Sequence, residues 1–93
     1  VSTWIDRSGT ITAGGTAQEI APANPMRRGF LIQNISDADM WFNVGTVAVA
    51  NQPSVRIIAG ALYEAPTAAT PKGALSVIGA TTAKAFTAKE WNG

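Results

Sequence analysis

Ninety-three residues with a net charge of +1 make a single domain, one too small to bury more than about 60–65% of the surface its unfolded chain exposes. Cysteine and histidine are both absent, which removes disulfides as a source of stability and argues against zinc, iron and copper sites, whose best ligands are missing. The common histidine-based forms of serine, cysteine and metal-assisted hydrolysis are excluded with them.

The hydrophobic fraction of 46% includes 17 alanines, while Leu, Ile, Val and Phe together number 20. That is close to the roughly 20% floor below which chains stay disordered. A charge near zero argues against disorder, because disordered chains combine weak hydrophobicity with strong charge. The expectation is a folded domain with a thin core, supported by association with other chains. No run approaches the roughly 18 apolar residues of a membrane span, and the start is polar, so a soluble chain is expected.

From 1 to 13 one short apolar alternation, Trp4, Ile5 and Ile11, is broken by Asp6-Arg7-Ser8-Gly9, which fits an N-terminal arm or edge strand. Ala13-Gly14-Gly15-Thr16 is a turn, 16–21 reads as a strand, and Pro22, Asn24 and Pro25 form a loop. The densest apolar stretch follows, RGFLIQNISDADMWFNVG over 28–45, interrupted once by Ser36-Asp37-Ala38-Asp39. It reads as a central hairpin of two strands. In its first arm Phe30 and Ile32 share one face and Leu31 and Ile35 the other, so both faces call for cover. In the second arm Met40 and Phe42 oppose Trp41 and Asn43, and the pattern does not specify a neighbour for Trp41.

Residues 46–50 are small and apolar, Asn51-Gln52-Pro53 turns the chain, and 54–58 is rich in β-branched residues. Ala59-Gly60 marks a tight corner into 61–64. The longest loop runs from Pro66 to Gly73. Two alternating strands close the chain, 74–79 and 84–91, the latter with Phe86, Ala88 and Glu90 on one face. Seven or eight short strands with Gly, Pro and Asn between them predict an all-β fold, a small antiparallel β-sandwich or jelly-roll-like barrel, as a single domain over 1–93.

Little in the chain points to catalysis, and no enzymatic activity and no cofactor are expected. Asp37 and Asp39 lack the further acidic residues of a calcium loop, so they are read as turn residues rather than metal ligands. Arg27 and Arg28 are adjacent, but a charge of +1 gives no basic stripe for nucleic acid. Trp4, Trp41 and Trp91 are read first as anchors for the core or a partner, and second as a platform for sugar rings.

The succession GFLIQN, MWFNVG, IIAGALYE and GALSVIGATTAKAFTAKEW resembles a group of small β-rich virion proteins of tailed bacteriophages. Those proteins place an LIQN strand before a W-x-N-x-G strand and finish on F-T-A-x-E-W. The resemblance covers 28–91, and Ala59 stands where the group carries a proline before the corner glycine. It implies a non-enzymatic structural protein of the virion, in particular a decoration or cement protein of the capsid surface. Implied partners are the major capsid protein or other virion proteins and copies of the chain itself, with a trimer favoured, and neither nucleic acid nor membrane. Expected contacts are Trp4, Arg27, Arg28, Trp41, Lys72 and Trp91, with the loop from Thr67 to Lys72. The alternative is a tail- or fibre-associated domain that binds host-surface glycans through Trp41 or Trp4.

Overall fold

The computed structural model describes residues 3–65 and 70–92, and among them it contains strands and no helix. The strands are β1 (Thr3–Asp6), β2 (Gly9–Thr10), β3 (Gln18–Ala21), β4 (Arg27–Asn34), β5 (Met40–Val44), β6 (Val55–Ile57), β7 (Leu62–Glu64), β8 (Leu75–Gly79) and β9 (Ala85–Asn92). One sheet has the order β1-β9-β4-β7, with β2 also on β9, and the other has the order β3-β8-β5-β6. Every pairing is antiparallel. The chain is thus an all-β sandwich of two sheets.

Alternation places the core. Phe30 and Ile32 from β4, Met40 and Phe42 from β5, Leu75 and Val77 from β8, and Phe86 and Ala88 from β9 point inward, joined by Ile11, Ile20 and Ile57. The rings of Phe30 and Phe42 lie 6.0 Å apart across the two sheets, and Tyr63 stands 4.8 Å from Phe42. Facing strands supply one layer of side chains each, which is the packing expected of a two-sheet core. The other face of β4 is not covered as the alternation suggested: Leu31 is half-buried and Ile35 is exposed.

The central hairpin does not form. β4 pairs with β9 and β7, while β5 pairs with β8 and β6, so the segment 35–39 is a corner that carries the chain from one sheet to the other. Asn34 holds that corner. Its buried amide donates to the carbonyls of Ala38 and Ile57, and its oxygen accepts from the amide and hydroxyl of Ser36. Residues 46–50 make no strand; Ala48 is buried and its amide donates to the Ser76 hydroxyl.

The two long sides of the sandwich differ. On the β2/β3 side the sheets are stitched together: the Gln18 amide group donates to the Thr10 carbonyl and accepts from the Thr12 amide, Gly14 donates to Thr82, and Gly15 donates to the Gly79 carbonyl. On the other side β6 ends one sheet and β7 the other, joined by the corner at 58–61, where Gly60 takes a φ of 82° that a side chain would strain.

Candidate functional site

The most densely bonded polar cluster lies inside the sandwich at the end where β9 finishes. Glu90 shares the inward face of β9 with Phe86 and Ala88, and both it and Arg27 are fully buried. One carboxylate oxygen of Glu90 accepts from Arg27 Nε at 3.2 Å and Asn24 Nδ2 at 2.8 Å; the other accepts from Arg7 Nε at 2.8 Å. Arg27 Nη1 donates to the carbonyls of Pro71 and Gly73 at 2.8 and 2.9 Å, and Nη2 to the carbonyl of Pro22 at 2.9 Å. Burial raises the Glu90 pKa, but the hydrogen bonds from Asn24, Arg7 and Arg27, with the Arg27 charge, outweigh it and hold the carboxyl below its ordinary value. A fully buried carboxylate held by three donors is placed as a structural tie. The cluster fastens the 22–24 and 71–73 loops and the segment after β1 to the sheet.

This placement corrects the expectation that Arg27 contacts a partner. The β4–β9 register shifts between Arg27 and Gly29, so that Arg28 is an extra, bulged residue. Without the bulge, Arg28 would share the inward face with Phe30 and Arg27 would point out. The inserted residue reverses the pair, leaving Arg27 buried and Arg28 exposed. Lys72 is exposed along its stem and its ammonium donates to the Arg27 carbonyl. In the loop around it, Thr70 is buried and donates to the Arg28 carbonyl, whereas the part of the expected contact loop at 67–69 lies outside the described residues.

Two of the three tryptophans come together. Trp4 and Trp91 are direct cross-strand partners on the outer face of the first sheet, with ring centroids 4.5 Å apart and planes inclined by 32°. Trp91 lies across Gly29, where an added Cβ would overlap the indole. Trp4 is the outer ring, 56% exposed. Trp41 is on the other sheet, opposite Ile78 and Arg56, and borders an apolar groove of about 220 Å³ with Gly15, Ala50, Ile78, Gly79 and Ala80.

Exposed aliphatic side chains lie elsewhere. Val55, Ile58 and Leu62 lie in or beside β6 and β7, each of which ends its sheet among the described residues, and Ile35 begins the corner after β4, whereas Val47 lines a groove beside β3 and β8 with Ala17, Gln18 and Leu75. Nothing in local alternation marks the β6/β7 side, because it depends on which strands end the sheets. Asp39 pairs with Arg56 and Asp37 with Lys84, and the amides of the turn between them are capped by Asn34 and Ser36. Among the described residues no group of three or more acidic side chains is placed to hold a metal ion. Comparison of the chain with protein-family models, with curated proteins and with solved structures finds no match.

Proposed function

We propose that this chain is a non-enzymatic structural protein of a tailed-phage virion, which docks on the capsid shell as a small oligomer through the side formed by β6 and β7. The observation that carries this reading is that, among the described residues, β6 and β7 each end a sheet beside the exposed Val55, Ile58 and Leu62. Natural sandwiches protect such edges with charge, proline or cover, because they template association. Here each edge strand is three residues long and carries one exposed charge, Arg56 or Glu64, and Val55, Ile58 and Leu62 are exposed beside them. The phage-protein likeness of 28–91 supplies the virion context, and the occupied carboxylate of Glu90 favours a scaffold over a catalyst. Binding only the assembled lattice stabilises it by mass action, and many copies bound at once multiply a weak contact.

The test is cosedimentation with expanded, undecorated phage capsids, scored also for capsid survival on heating. Saturable binding that raises survival is expected. The double substitution Ile58→Lys, Leu62→Lys adds two desolvated charges to the contact and should weaken binding by about a hundredfold. Failure to bind capsids, or undiminished binding by that variant, overturns the assignment. Sedimentation of the free chain should show self-association, with a trimer expected; a monomer at every concentration contradicts the oligomer.

A further inference from the structure

The tryptophan ledge stands on the opposite edge of the sheet from β7, and its surroundings have a different chemistry. From the strand register, the outer face beside Trp4 and Trp91 carries Asp6 and Lys89, themselves cross-strand partners, with Leu31 opposite Lys89 and Thr87 next along β9. The β6/β7 side exposes Val55, Ile58 and Leu62; the β1 edge is aromatic with a charged pair beside it. The indole of Trp4 is also held in place before any ligand arrives. Trp91 lies on the bare backbone of Gly29, and Trp4 rests on Trp91, so a ring stacking on Trp4 meets a surface whose rotamer is already fixed. Asp6 has one carboxylate oxygen bonded to the Ser8 amide at 2.9 Å, which orients it along the same face. The hydrogen bonds from Ser8 and the charge of Lys89 keep it ionised.

We propose that the Trp4–Trp91 ledge, with Asp6 and Lys89, is a binding site for the pyranose rings of a polysaccharide. The apolar face of a sugar ring stacks on the exposed indole, as flat apolar faces do on aromatic side chains. Its hydroxyls then donate to the Asp6 carboxylate and accept from the Lys89 ammonium, both charge-assisted bonds. The surface is open along the edge strand β1, so the site takes an internal stretch of a chain as readily as its end. The site is independent of the capsid contact: a chain docked through β6 and β7 keeps β1 at the far edge of its sheet.

Affinity electrophoresis in native gels containing hydroxyethyl cellulose, laminarin, dextran or yeast mannan tests this directly. At least one polysaccharide should retard the protein. Trp4→Ala should weaken that retardation about tenfold or more, Trp4→Phe should restore part of it, and Asp6→Ala should reduce it. Gly29→Ala, which pushes Trp91 out of place without removing any ring, should weaken it too. Trp4 is exposed and contributes nothing to the core cluster, so Trp4→Ala should fold and still cosediment with capsids. No retardation by any of the four polymers overturns the proposal, as does equal retardation of Trp4→Ala. Loss of capsid binding in Trp4→Ala also overturns it and makes the ledge a protein contact. Retardation that depends on Trp4, in a protein that never binds capsids, would keep the sugar site and remove the capsid reading alone.

Discussion

Arg27→Met should lower stability by about 3–5 kcal/mol, the usual cost of breaking a buried ion pair by removing one member. For a domain of this length that is a fall in melting temperature of more than about 12 °C, and a large part of the total stability of a small fold. The magnitude follows from what the guanidinium holds. It is the buried counter-charge of Glu90 and the donor to the carbonyls of Pro22, Pro71 and Gly73, so a methionine of similar length fills the space but strands three acceptors and leaves the carboxylate with the part-exposed Arg7 as its remaining cation. Lysine should do little better, since one ammonium cannot reach four acceptors in the plane that the guanidinium spans. Thermal unfolding followed by circular dichroism reads the effect. A melting temperature within about 4 °C of the parent would mean that the cluster is not a clamp.

The same cluster sets the response to acid. Glu90 has its carboxyl held below the ordinary value of 4.5 in the folded chain. The unfolded chain therefore takes up this proton first as pH falls, and the contribution of Glu90 is full above the unfolded value and lost as pH falls through the lower folded one. Stability should decline across that acid window in the parent. In Glu90→Gln the decline should be shallower, from a lower starting point, because an amide cannot pair with the Arg27 charge. Equal slopes for parent and variant would assign acid sensitivity to other carboxylates.

Strands could be read from the sequence because a side-chain period of two is local. Phe86, Ala88 and Glu90 alternate in the sequence and alternate in burial, and the same holds for Leu75, Val77 and Gly79. What alternation does not carry is the identity of the neighbouring strand. The stretch 28–45 has the pattern of a hairpin, yet its arms find better partners far along the chain, β9 for one and β8 for the other. The bulge at Arg28 is equally silent, since an extra residue exists only relative to a partner strand. One signal for the polar centre was present: a glutamate on an apolar face of β9 must be paired if buried, but alternation alone would have turned Arg28 rather than Arg27 inward to meet it. The aromatic ledge joins the two ends of the chain, so only the pairing of β1 with β9 makes it visible.

The corner between the sheets gives the second large effect. Asn34→Ala should cost about 2–4 kcal/mol, because it removes the amide donor to the Ile57 carbonyl, leaves the Ala38 carbonyl with the Ser36 hydroxyl alone, and takes from the Ser36 amide its acceptor. Asn34→Asp should be worse near neutral pH despite nearly identical shape. It keeps the acceptor for Ser36 but turns an oxygen toward two carbonyls at 2.6 and 2.9 Å, the distances the amide nitrogen now spans. A buried carboxylate facing those carbonyls has its pKa raised, so protonation favours the folded state and the Asn34→Asp variant should regain stability as pH falls from about 8 to about 5. The parent should not gain over that range. Parallel pH profiles for the two proteins would show that the corner does not depend on donors at position 34. Divergence of the profiles, with little change in Asn34→Gly beyond that of Asn34→Ala, would assign the cost to the lost hydrogen bonds rather than to the backbone, and would make this one side chain the reason that the arms of an apparent hairpin part into two sheets.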